Sequence, residues 1–148
     1  MKVFVTGATG FVGEEIVRQL AGAGHSIRIL ARNSHSPRVR GLVSRYGVEV
    51  RIGDAVDGGS LAGAAAGTDA IIHLVGIISE VGETTFENLH TLATKNMLAV
   101  AQQAAIKRYL HMSALGTRPQ AASRYHQTKW AAEEAAIRTR TFSSRWRN

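Results

Sequence analysis

Two groups of residues in this chain are spaced for chemistry. The first is Thr6-Gly7-Ala8-Thr9-Gly10-Phe11-Val12-Gly13. Three glycines at this spacing, after a short apolar run and at the head of an amphipathic one, suit a turn whose main chain receives a diphosphate. Gly7 makes the tight turn, Gly10 removes the side chain that would block a pyrophosphate, and Gly13 lets the next helix close on the strand. Thr9, Phe11 and Val12 belong to the same turn and helix start. Free N–H groups and the helix dipole favour an anion there. The second group is Tyr125 and Lys129, four residues apart and so on one face of a helix. An ammonium beside a phenol favours the phenolate, which makes such a pair a usable proton donor and acceptor. The same lysine suits the hydroxyls of a cofactor ribose.

Further residues follow the ends of apolar runs. No carboxylate stands between Glu15 and Glu49, and Arg32 with Asn33 ends the second run. A carboxylate near that place would bind the ribose 2′-hydroxyl of NAD, whereas a guanidinium pairs with the 2′-phosphate of NADP. NADP is therefore expected in preference to NAD, with Arg38 and Arg40 able to assist. Asp54, followed by Ala55, is placed either to accept from an adenine amino group or to cap a turn. Leu74, Val75 and Gly76 close the fourth run, and Gly76 would let a ribose approach the main chain. Ser113 suits a substrate oxygen beside Tyr125, or a bond to its own backbone. Asn96 either holds a water or a carbonyl near the site or is an exposed helix residue. His73, His90, His111 and His126 have no metal-ligand spacing and read as packing or surface residues, so no metal is expected. Glu133 and Glu134 read as solvating the last helix.

The elements that must hold these residues alternate. The pattern predicts strands over Lys2–Thr6, Ser26–Leu30, Val48–Ile52, Ala70–Val75 and Arg108–Ser113. It predicts helices over Phe11–Ala21, Leu61–Ala66, Phe86–Ala105 and Ser123–Ile137, with partial helix over Val39–Tyr46. Alternation of this kind gives an α/β doubly wound parallel sheet with helices on both faces. The 148 residues suit one domain, 45% hydrophobic and 20% charged, which argues against a disordered chain. Zero Cys excludes a disulfide framework, a thiolate metal site and a Cys nucleophile. The net charge of +7 is concentrated: without Arg138, Arg140, Arg145 and Arg147 the balance is 14 basic against 11 acidic residues. The body is mildly basic, so no nucleic-acid partner is expected. No apolar run reaches the roughly 18 residues of a transmembrane helix, and the glycines and acids near the start do not read as a signal peptide. The expectation is a cytoplasmic protein, at most peripheral to a membrane complex.

Taken together, Gly7, Gly10 and Gly13, Asp54, Asn96, Ser113 and the Tyr125/Lys129 pair resemble the short-chain dehydrogenase/reductase superfamily, in its extended or atypical branch of NAD(P)-dependent epimerases and dehydratases. The wording of Leu74-Val75-Gly76-Ile77-Ile78, His111-Met112-Ser113-Ala114-Leu115-Gly116 and Arg124-Tyr125-His126-Gln127-Thr128-Lys129-Trp130 is similar to the group of the NAD(P)H-binding accessory subunit of respiratory complex I. The resemblance implies a Rossmann-type fold over residues 1–137, with Tyr125 as general acid/base, Lys129 assisting it and holding the ribose, and Ser113 orienting a substrate of unspecified identity. It also implies departures. Ala114 stands where a second serine is frequent, Ser113 lies close to Tyr125 in sequence, and members of this group can hold NADPH without turnover. Family members continue past the Tyr/Lys helix, so the expectation is a chain truncated before a last strand and substrate domain, ending in a basic irregular tail over 138–148. An exposed sheet edge or apolar patch would then favour a homo-oligomer or a place in a larger complex.

Overall fold

The computed structural model describes residues 1–139. Its strands are β1 (Lys2–Thr6), β2 (Ser26–Ala31), β3 (Glu49–Ile52), β4 (Ala70–His73) and β5 (Arg108–His111). Its α-helices are α1 (Phe11–Gly22), α2 (Pro37–Tyr46), α3 (Ala93–Gln103) and α4 (Arg124–Arg138). All pairings are parallel, in the spatial order β3-β2-β1-β4-β5. The chain steps outward from β1 to β3, then returns to the other side of β1 to form β4. That reversal opens a crevice above the carboxyl ends of β1 and β4, where ligands bind in such sheets.

Alternation along the strands builds two cores. Val3, Val5, Ile27 and Ile29 point to one face and pack with Val17 of α1 and with Val39 and Leu42 of α2. Phe4, Leu30 and Ile71 point to the other and pack with Met97, Val100 and Ala101 of α3. Phe4, Val5, Ile29 and Ile71 are completely buried. Each face of a parallel sheet needs such a cover, because neither can be left to water.

Several boundaries differ from the sequence expectation. The Ala-rich stretch Leu61–Ala66 forms no α-helix; a 3-10 turn over Gly58–Leu61 precedes a run of turns. Gly63 and Gly67 take φ of +67° and +69°, left-handed values that break a helix from both ends. The stretch expected as one helix over Phe86–Ala105 begins as a π-helix at Glu87–Leu92 and becomes α only at Ala93. Strands β4 and β5 stop at His73 and His111, so Leu74, Val75 and Ser113 lie in the loops beyond. Helix α2 is fully formed, with Pro37 in its first turn and the Ser36 hydroxyl accepting from the Val39 amide at 3.3 Å. The tail over 138–148 lies outside the described residues from 140 onward.

Candidate functional site

The glycine turn does what its spacing requires. Gly7 has φ +75°, and its carbonyl accepts the Gly10 amide at 3.1 Å. A Cβ on Gly7 would lie 3.0 Å from the Leu74 carbonyl carbon, so the turn after β1 and the loop after β4 meet here through bare main chain. A Cβ on Gly13 would meet the Gly7 carbonyl oxygen and lie 2.7 Å from the Ala8 Cα. Helix α1 is thereby seated on the strand end. Gly10 is its N-cap, and no side chain satisfies the first-turn amides. A Cβ on Gly10 would sit 3.3 Å from the Gly7 oxygen.

A cleft of about 610 Å³ opens over this turn. That size is within the range of about 300–1,000 Å³ usual for small-molecule sites. It brings together Gly7, Thr9, Gly10, Arg32, Asp54, Ala55, Leu74, Val75 and Gly76, which the sequence singled out. The bare main chain and the uncapped helix start fit a diphosphate.

The remaining expected residues lie elsewhere. Phe11 is 97% exposed, Val12 is exposed, and Gly13 is consumed by helix packing. Asn96 donates to the Ala55 carbonyl at 2.9 Å, so it buttresses the loop after β3 from behind. One Asp54 oxygen accepts the Val56 amide at 3.1 Å, which is the turn-capping role, although the residue also lines the cleft. Arg38 donates to the Thr9 carbonyl at 3.2 Å and ties α2 to the glycine turn. Arg40 does not line the cleft.

Tyr125 and Lys129 share a face of α4, as their spacing predicted. Lys129 is only 5% exposed. Its ammonium donates to the Met112 carbonyl beyond β5 at 3.1 Å and stands 3.0 Å from where a Cβ on Gly76 would be. The absent side chain at Gly76 is what admits it to the cleft edge. Burial pulls the Lys129 pKa below its ordinary value. Tyr125 is half-buried, edge-on to His90 and Phe86 with centroids 5.2 and 5.6 Å apart. Ser113 donates to Glu133 at 2.7 Å. Glu133 therefore does more than solvate α4, as the sequence suggested; it holds the loop after β5.

Sequence reasoning missed several contributors. Asn33, Ser36, Ile77, Glu83, Thr84, Asn88 and Leu89 also line the cleft. Ser36 was legible as a Ser-Pro helix start. Asn33 follows β2, and Asn88 and Leu89 stand in the π-helical turn; Ile77, Glu83 and Thr84 belong to a loop closed by the Val81–Thr84 bridge and by Glu80, which accepts the Phe86 amide at 2.8 Å and pairs with Arg124. A polar, irregular segment of this kind has no periodicity to read.

A family model described as NAD(P)H-binding matches residues 7–141. The chain is 35% identical over 136 residues to NADH dehydrogenase [ubiquinone] 1 alpha subcomplex subunit 9, mitochondrial, of Arabidopsis thaliana, covering 90% of this chain and 34% of that protein. It is 32% identical over 118 residues to 3-beta-hydroxysteroid dehydrogenase of Mycolicibacterium neoaurum, covering 74% of this chain and 31% of that one. The chain thus spans about a third of the length of these relatives. Among solved structures, the UDP-Glc/GlcNAc 4-epimerase of Campylobacter jejuni superposes with a TM-score of 0.75 at 22% identity, over 93% of this chain and 48% of that one. At that identity the likeness concerns the fold alone.

Proposed function

The chain belongs to the NAD(P)H-binding family, and from that premise we propose that it stands in the epimerase-like branch of the short-chain dehydrogenase/reductases and that its cleft binds NADPH in preference to NADH, with Tyr125 as proton donor and acceptor. The observation that carries the reading is the bare main chain of the glycine turn over an open cleft of about 610 Å³, with Lys129 buried at its Gly76 edge. Arg32 supports the preference for NADP, since it lines the cleft after β2 with no carboxylate between Glu15 and Glu49 to bind a free 2′-hydroxyl. When bound, the nicotinamide supplies or takes a hydride at a carbon bearing oxygen. Tyr125 would exchange the proton on that oxygen, and Lys129, held by Met112, would hold ribose hydroxyls and favour the phenolate. Ser113 would reach a substrate only by leaving Glu133.

That engagement of Ser113, together with the likeness to a subunit of NADH dehydrogenase, supports a second reading, a nucleotide-binding scaffold within a larger assembly. Fluorescence titration with NADPH and NADH, with and without Arg32→Glu, tests the first half. NADPH should bind at least tenfold more tightly than NADH, and Arg32→Glu should erase the difference. Equal affinities in the wild type would remove the NADP preference. Tyr125→Phe should abolish carbonyl reduction while leaving NADPH affinity within about threefold. Absence of turnover by the wild-type chain against a broad carbonyl panel, with tight NADPH binding, favours the scaffold.

A further inference from the structure

His90 reads in the sequence as a lone packing histidine, yet no other side chain in the described residues links the cleft floor to the helix of Tyr125 and Lys129 through both ring nitrogens. It sits in the π-helical turn Glu87–Leu92 and is 1% exposed. Single π-turns inside helices are frequent at functional sites, because they re-aim one side chain out of register. Here the re-aimed ring has Nε2 3.2 Å from the Ile77 amide nitrogen and 3.0 Å from the Ile77 carbonyl oxygen, while Nδ1 lies 2.9 Å from the Thr128 hydroxyl.

The proton positions follow from hydrogen-bond accounting. The Thr128 hydroxyl lies 3.0 Å from the carbonyls of Arg124 and Tyr125, and it has one proton to give. If that proton goes to the helix carbonyls, Thr128 accepts from Nδ1–H, and the bare Nε2 accepts from the Ile77 amide. All three donors are then satisfied. The opposite tautomer donates from Nε2 to the Ile77 carbonyl but takes the Thr128 proton for Nδ1. It leaves the Ile77 amide without this acceptor and removes the hydroxyl's bond to its own helix. Protonation of both nitrogens is opposed by burial and then by the facing Lys129 ammonium, which outweigh the Ile77 carbonyl and Glu80 on the other side.

The same ring is a packing wedge. It stacks on Phe86 at 5.4 Å and 20°, and stands edge-on to Tyr125 at 5.2 Å and 90°. Its Nε2 and Cδ2 would be 3.6 Å from a Cβ on Gly76. One side chain thus touches Gly76, Ile77, Thr128, Phe86 and Tyr125. We propose that His90 is a positioning residue that, with its proton on Nδ1, clamps the Gly76–Ile77 floor of the cleft to the helix carrying Tyr125 and Lys129. It touches neither reacting atoms nor cofactor; it acts by fixing the separation between the dinucleotide floor and the proton donor. A misplacement of about 1 Å at such a separation costs on the order of 10²-fold in rate. The proposal rests on the reading of the cleft as a dinucleotide site.

The test uses the full chain and two variants. His90→Phe keeps the ring and deletes both polar bonds; His90→Gln keeps a donor and an acceptor. Long-range ¹H–¹⁵N NMR of the wild-type ring should show Nδ1 protonated and Nε2 bare near neutral pH. Amide exchange at Ile77 should accelerate at least tenfold in His90→Phe, NADPH affinity should fall at least tenfold, and His90→Gln should restore part of both. A ring protonated on Nε2, or a folded His90→Phe with unchanged Ile77 exchange and NADPH affinity, overturns the proposal. If His90→Phe fails to fold by circular dichroism, His90→Gln decides: unchanged Ile77 exchange together with loss of NADPH affinity would also overturn it. If the wild type binds no NADPH, the dinucleotide reading fails, whereas the tautomer and the Ile77 exchange still report separately on the clamp.

Discussion

Gly10 and Gly13 are three residues apart and do opposite things. A Cβ on Gly13 would collide with the Gly7 carbonyl oxygen and the Ala8 Cα, both of them main chain that cannot step aside. A Cβ on Gly10 would only crowd the Gly7 oxygen at 3.3 Å and otherwise point at open space. We therefore expect Gly13→Ala to destabilise the fold by about 1–3 kcal/mol or more, the usual cost of overpacking. Gly10→Ala should leave the urea midpoint near that of wild type yet weaken NADPH at least tenfold. Urea unfolding and fluorescence titration of the two variants read both effects, and a stability loss in Gly10→Ala equal to that in Gly13→Ala would show that Gly10 serves packing instead. The tight turn at Gly7 and the close packing at Gly13 were legible because each follows from spacing after one strand. The shared helix face of Tyr125 and Lys129 was legible for the same local reason. His90 was not: its partner Thr128 is 38 residues away, and nothing local distinguishes it from a core histidine. The bond between Ser113 and Glu133, 20 residues apart, was hidden for the same reason.

Element types were largely readable from period, and element ends were not. The alternation Val3, Phe4, Val5 announces a strand buried on both sides, and the sheet order confirms it. The helix expected at Leu61–Ala66 failed because alanine propensity is worth tenths of a kcal/mol per residue, less than two glycines in left-handed backbone take away. Register also makes a pair that no period predicts. Parallel pairing of β4 and β5 sets His73 against His111, with ring centroids 5.8 Å apart. His73 bonds the Thr6 hydroxyl at 2.6 Å through Nδ1, while neither ring nitrogen of His111 has a hydrogen-bond partner among the described residues. Burial, with Lys129 adding to it, pushes His111 and His90 down to about 4; burial and then His111 push His73 well below 6.5. Folded-state values below the unfolded value of 6.5 mean that the unfolded chain takes up protons first as pH falls. Stability from these groups is complete above about pH 6.5 and drains between pH 6.5 and 4. Each contributes a slope of up to about 1.4 kcal/mol per pH unit. Glu15 and Glu49, whose values are lowered by their cationic partners, act only below 4.5, so the fall above pH 4.5 belongs to the histidines. Urea midpoints should fall steadily from pH 7 to 4.5, and His111→Leu should flatten the fall. A midpoint constant over that range would contradict the burial of uncharged histidines.

At the scale of the molecule, a parallel sheet sends the loops after all its strands to one edge, and that edge here is apolar as well as ligand-binding. Phe11 after β1, Ile78 and Val81 after β4, and Leu115 after β5 are 97%, 89%, 76% and 100% exposed. Single exposed apolar residues are ordinary, but four of this size in loops leaving one edge of a sheet offer apolar surface to another apolar body. The sequence reading expected association through a sheet edge or an apolar patch; the loop tips are the stronger of the two, since β5 offers only four residues of edge. No described helix is long and apolar enough to cross a membrane. The chain also spans only about a third of its relatives' length. For the chain as it stands, we expect reversible self-association by sedimentation velocity, growing with protein concentration. Ile78→Glu with Leu115→Glu should reduce it, because neither residue contributes to either core and both tips face water. NADPH affinity of that double variant should stay within about threefold of wild type, since neither side chain lines the cleft. Saturating NADPH at about 100 times its dissociation constant should raise stability by about 2.7 kcal/mol in both proteins. A double variant that still associates as the wild type does would place the contact on β5 instead, where Leu110→Lys is the change to make next.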